Sequence, residues 1–156
     1  MQGMPRDAYV EAKVAIGGPV LGSIGAWVVL AAAALSGNHL LAALGQVGIM
    51  INLFNLIPVS PLDGGRVAGA FSRPFWIAGY ALGIAALVIM PSPILAIVLV
   101  LGLITLWRQW NHPVPGYHAI PRGQRLAIAG GYLVLLLALA GSLPFAHELA
   151  VRGLGS

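Results

Sequence analysis

From Phe75 to Trp107 the chain runs thirty-three residues without one charged side chain. A helix crosses the hydrocarbon of a bilayer in about 17–25 apolar residues, so this run is too long for a single crossing. Pro91-Ser92-Pro93 lies near its middle, and two prolines so placed break a regular helix by removing backbone donors. The run therefore predicts two short helices, near 75–90 and 93–107, joined by a tight turn. Pro19 to Leu35, Leu40 to Ile57 and Leu126 to Leu143 are apolar as well. They predict spans near 19–35, 40–57 and 126–143, with Pro19 in a first helical turn, where its missing N–H costs nothing. Soluble domains carry about 25% charged residues. Here 8% are charged and 59% are hydrophobic. The expectation is an all-α polytopic membrane bundle of about five transmembrane helices, one domain over 1–156, with no internal repeat.

The cationic residues test that count. Arg6 and Lys13 precede the first span, Arg66 and Arg73 lie between the second and third, and Arg108, Arg122 and Arg125 lie between the fourth and fifth. The Ser36–His39 link and the Pro91–Pro93 turn carry no Lys or Arg, and only Arg152 falls on the opposite side. Seven of eight cations thus share one face, which the positive-inside rule makes cytoplasmic. The N-terminus is then inside and the C-terminus outside. Residues 1–18 form a cytoplasmic lead-in, read as a short amphipathic helix beginning near Asp7 and reaching Ile16. Residues 108–125 form a cytoplasmic loop made irregular by Pro113, Pro115, Gly116 and Pro121. A signal peptide cleaved near Ala31–Ala34 is the competing reading of the first span. It fits less well, because its polar leader is long and the chain continues directly into another span.

Other classes fall away quickly. The net charge of +4 does not mark a nucleic-acid binder, since the arginines are scattered between apolar runs and form no basic face. With no cysteine there is no disulfide, thiolate metal site or cysteine nucleophile. Gly18-x-x-x-Gly22 and Gly79-x-x-x-Gly83 have the spacing that lets membrane helices approach closely.

The sequence "NLIPVSPLDGGR", Asn55 to Arg66, ends the second apolar run. Pro58 and Pro61 each remove a backbone donor and disfavour helix at the preceding residue. The helix must stop or unwind there. Unwound backbone at membrane depth is tolerated only where protein buries it or a wet cavity receives it. Gly64 and Gly65 permit close backbone approach, and Arg66 either pairs with Asp63 or marks the interface. Two readings of Asp63 stay open on these grounds. It caps the third span from an interfacial turn, or it is an intramembrane ligand or proton carrier, the default for an ionisable group at that depth.

Asn55, Pro58, Pro61, Leu62, Asp63, Gly64 and Gly65 form an Asn-x-x-Pro…Leu-Asp-Gly-Gly arrangement at the end of a membrane helix. In this the chain resembles the site-2 protease family of intramembrane zinc metalloproteases. "EAKVAIGGPVLGSIGA" is similar to the family's Gly-Pro segment, although Gly22 stands where the family often has asparagine. "YHAIPRGQRLAIAGGYL" resembles the region before the last helix in some bacterial members. The resemblance implies regulated intramembrane proteolysis: a zinc-dependent endopeptidase that cuts a membrane-spanning protein substrate near the cytoplasmic face, in a bacterial inner membrane. It implies Asp63 as a zinc ligand, and Asn55 as a residue that shapes the active site or holds the substrate backbone.

The family's His-Glu-x-x-His, whose histidines bind zinc and whose glutamate is the general base, has no counterpart here. His39, His112, His118 and His147 include no pair four apart. "HELAV", from His147, has Val151 in the second histidine's place and falls on the opposite membrane face from Asp63. His112 and His118 are expected as solvated loop residues and His39 as a link residue. The chain is therefore read as a part of such an enzyme that carries one of three zinc ligands, the others coming from a missing segment or a partner chain. The alternative is a pseudoprotease that binds membrane helices or a partner protease without cutting. A transporter element, built on an interrupted helix with an acidic residue, is a third reading. It lacks a second charged interruption.

Overall fold

The structure, a computed structural model, describes residues 8–69, 73–89, 91–111 and 121–151. The protein is all-α, and no strand occurs among the described residues. The helices in chain order are α1 (Ala8–Ser36), α2 (His39–Asn55), α3 (Asp63–Gly69), α4 (Arg73–Ile89), α5 (Pro93–Asn111) and α6 (Arg122–Val151). Two stretches, Tyr9–Ser36 and Arg122–Val151, are long and apolar enough to cross a membrane, while His39–Asn55, Ile77–Ile89 and Pro93–Arg108 are shorter apolar helices.

The breaks between helices follow from local chemistry. α1 ends at Gly37, whose φ of 67° is the left-handed C-terminal stop that glycine adopts without strain. Its N–H returns to the Ala33 carbonyl at 2.9 Å. Asn38 then starts α2 as its N-cap, its Oδ1 accepting from the Leu40 and Leu41 amides at 3.0 and 3.2 Å. Ser92 does the same for α5, its Oγ accepting from the Leu95 amide at 3.4 Å. One turn thus needs three residues and no charged side chain.

Three boundaries differ from the sequence expectation. Pro19 lies inside α1 rather than in a first turn, and the lead-in and first span form one continuous helix from Ala8. Extending a helix already nucleated by Ala8–Ile16 costs less than starting another. Gly17 and Gly18 add no side chains where the proline ring must be accommodated. α6 likewise begins at Arg122 and runs through Pro144 to Val151, so the expected 108–125 loop is reduced at both ends, α5 reaching Asn111. His112, His118, Pro113, Pro115 and Gly116 lie outside the described residues, as do residues 1–7 of the lead-in. Third, Asp63 opens the separate seven-residue helix α3 and not the long helix that follows it.

The chain divides into two compact units. One comprises Met1–Ile16 and Leu56–Gly130, the other Gly17–Asn55 and Gly131–Ser156. In the second unit α1 and α2 run antiparallel. Added Cβ atoms at Gly45 and Gly48 would lie 2.6 Å from the Leu30 side chain and 3.0 Å from the Ala26 Cβ. Small residues therefore set the separation of the two helices. α6 joins them through hydrogen bonds. Trp27 Nε1–H donates to Ser142 Oγ at 3.0 Å, and Gln46 Nε2 meets His147 Nδ1 at 3.2 Å. Leu30, Ile49 and Leu139 fill its core. In the first unit α3 packs on α4 and α4 on α5, around buried Leu56, Val59, Val67 and Leu99. Large apolar side chains also face outward in both units, among them Leu35, Ile89 and Leu126 at 91%, 78% and 73% exposure.

Candidate functional site

The segment between α2 and α3 is unwound and clamped. Leu56 to Leu62 carries only local backbone bonds, Val59 N–H to the Ile57 carbonyl at 2.7 Å and Leu62 N–H to the Val59 carbonyl at 3.0 Å. The Ser60–Pro61 peptide is cis. Leu56 and Val59 are fully buried. Five glycines surround this segment, four of them at backbone contact. A side chain on Gly64 would collide with the Leu56 and Ile57 carbonyls, and one on Gly65 with the Val59–Ser60 backbone. On α4, Gly79 abuts the Pro58 carbonyl, while Gly83 faces Val59 and Leu99. On α5, Gly102 faces the Ser60 carbonyl and the Tyr80 hydroxyl. Tyr80 O–H also donates to that carbonyl at 3.4 Å. The non-helical backbone is thus contacted by α3, α4 and α5, with Leu56 and Val59 buried and Pro61 left exposed, and contact with protein is what such backbone needs away from water.

This clamp delivers Asp63. It is half-buried at the first position of α3, where the amide end of the helix favours a carboxylate. The Leu62 carbonyl accepts from the Gly65 and Arg66 amides at 3.0 and 3.3 Å and so begins the helix. Among the described residues no ion pair joins Asp63 to Arg66, whose side chain is exposed.

Asn55, half-buried, is the last residue of α2. One turn earlier stands Asn52, 7% exposed, which sequence reasoning did not single out. Its Nδ2 donates to the Gly48 carbonyl at 2.8 Å. Its carboxamide occupies the space beside Gly22, where an added Cβ would lie 2.9 Å from Nδ2 and nearer still to Oδ1. Glycine at position 22 follows from this asparagine on the facing helix. The antiparallel pairs Leu30/Gly45, Ala26/Gly48 and Gly22/Asn52 continue, one turn on, to bring Pro19 level with Asn55. Pro19 is fully buried, and its carbonyl accepts from Ser23 Oγ at 2.5 Å. That register places the Gly-Pro segment and Asn55 at the same end of the α1–α2 pair. A signal for Asn52 did exist: a polar side chain one helical turn from Asn55, inside an apolar helix. Tyr80 and Gly102 gave none.

Among the described residues the donor set does not by itself complete a zinc site. Catalytic zinc takes three protein ligands and an open position. Among the described residues no group of three or more His, Cys, Asp or Glu side chains could hold a metal. His39 is exposed in the first turn of α2 and His147 is engaged with Gln46 near the end of α6. Both belong to the unit that does not contain Asp63. Comparison with protein-family models, with curated proteins and with solved structures finds no match to this chain.

Proposed function

We propose that the chain is the aspartate-bearing part of an intramembrane metalloendopeptidase of the site-2 protease type. In this reading it crosses a bacterial inner membrane five times, with its N-terminus in the cytoplasm. The observation that carries the reading is the clamped turn at Leu56–Leu62, five glycines packed around an unwound segment that ends at Asp63. A turn needed only to connect two helices would not require backbone contact on three sides. Membrane embedding is supported by the two long apolar helices, by large apolar side chains exposed on every long helix, and by the one-sided cations. Asp63 would serve as one metal ligand and Asn55 would position a locally unwound substrate strand. The other ligands are not among the described residues. A partner chain, or residues of the polypeptide outside the described ones, would have to supply them.

That same shortfall favours a second reading, a pseudoprotease that binds membrane helices without cutting. One experiment separates the two. The chain is isolated with whatever accompanies it from its own membranes, and bound zinc is measured beside an Asp63→Asn version. Zinc present in the first and lost in the second supports the peptidase reading. Zinc absent from both, with a membrane-helix partner still co-isolated, supports the pseudoprotease. Zinc equal in both overturns the role of Asp63.

A further inference from the structure

The two compact units differ in charge. The unit of Met1–Ile16 and Leu56–Gly130 contains seven cationic residues against three acidic ones, and so carries the entire net charge of +4. The other unit holds Arg152 against Glu148. Lys13, Arg66, Arg108 and Arg122 are exposed.

Their surroundings identify what they face. Lys13 stands between Val10 and Val14, both more than half exposed, and its Nζ lies 4.4 Å from the Tyr9 ring centroid. Arg108 follows Trp107, 68% exposed, in the last turn of α5. Arg122 is one turn from exposed Leu126. A soluble acidic protein would offer carboxylates to such a surface but would leave the apolar neighbours in water. A bilayer boundary satisfies both, with hydrocarbon beside the aliphatic and aromatic groups and phosphates above them. Long cationic side chains reach from one region to the other, and tryptophan prefers that boundary.

We propose that this unit is a binding surface for anionic phospholipid headgroups, with Lys13, Arg66, Arg108 and Arg122 as the contacting cations. The proposal rests on the chain being embedded in a membrane. A cation near a bilayer surface contributes roughly a fivefold preference for anionic lipid. Four of them make the lipid in contact with these cations selectively anionic.

The test uses the full chain in vesicles of equimolar phosphatidylcholine and phosphatidylglycerol. The protein is extracted in mild detergent, and the retained lipids are quantified by mass spectrometry. The expected result is phosphatidylglycerol enriched at least fivefold over phosphatidylcholine at low salt. Enrichment should fall towards the bulk ratio in 1 M salt, where screening shortens to about 3 Å. Replacing Lys13, Arg66, Arg108 and Arg122 together by glutamine should abolish it, and Arg152→Gln should not. Should the fourfold variant misfold, the salt dependence of the unmodified protein still decides. A retained-lipid ratio equal to the bulk ratio, or enrichment indifferent to salt, overturns the proposal while leaving membrane embedding intact. Release of the chain from vesicles by alkaline carbonate overturns both.

Discussion

Gly102→Ala tests whether the clamp on the turn is a built feature. Two effects oppose each other. In a helix interior, alanine is favoured over glycine by about 1 kcal/mol. Against that, the new Cβ would sit on the Tyr80 hydroxyl and the Ser60 carbonyl. One of those atoms is backbone in a fully packed segment, so relief requires the turn or α5 to shift. Overpacking of this kind costs about 1–3 kcal/mol. Displacing the tyrosine also loses its bond to Ser60, about 0.6 kcal/mol on the membrane-protein scale. The clash dominates, for a net destabilisation of about 0.6–2.6 kcal/mol. Gly141, on α6, has nothing within 4 Å of an added Cβ, so Gly141→Ala should be neutral or stabilising by up to about 1 kcal/mol. Tyr80→Phe alone should cost only the hydrogen bond. In the double variant Tyr80→Phe/Gly102→Ala the nearest colliding atom is gone, so the pair should be less destabilised than the sum, with a coupling of about 0.5–3 kcal/mol. The assay is reversible unfolding in bicelles by denaturing detergent. If Gly102→Ala unfolds with or after the unmodified protein, the packing of α5 on the turn is wrong, and with it the argument that the turn is held for a purpose.

Three further outcomes follow from the same geometry. Gly22→Ala should destabilise by about 1–3 kcal/mol because its Cβ enters the Asn52 carboxamide, and adding Asn52→Ala should recover part of the loss. If the two losses simply add, the α1–α2 register is misassigned. The chain contains no native cysteine, so single thiols report topology cleanly. A membrane-impermeant maleimide should label Ser36→Cys in intact cells and Arg66→Cys only after permeabilisation, and the reverse pattern would invert the proposed orientation. Trp27→Phe and Ser142→Ala should each cost about 0.6 kcal/mol by removing the 3.0 Å bond between α1 and α6. The double variant should cost no more than either alone, since both remove the same bond, and full additivity in bicelle unfolding would refute the contact.

What the sequence made legible was its punctuation. Pro91-Ser92-Pro93 and Gly37-Asn38 stop helices by local chemistry, through missing donors, a left-handed glycine and side-chain caps, and none of this depends on distant partners. Pro58 and Pro61 announced the unwound turn for the same reason. The misreadings arose where local cost competed with cooperativity. Pro19 and Pro144 each lose one backbone bond, yet the helix around them is long and already nucleated, so it continues. The spacing of Gly79 and Gly83 marked a close approach, but not that its partner is the turn, and Gly102 gave no signal, because all three meet the turn across wide sequence separation. A glycine that fits under a carbonyl is spelled like one that faces open space, such as Gly141. Asn55 and Asp63 carried a motif, whereas Asn52 and Tyr80, each packed near one of them, carried none. Asn52 locks α2 against α1 one turn before Asn55, and Tyr80 ties the turn to α4 three residues before Asp63. On the proposed role of Asp63 as a metal ligand, alanine at Gly79 or Gly102, which displaces the turn that leads into Asp63, should lower zinc retention, and unchanged zinc content would refute the link between clamp and carboxylate.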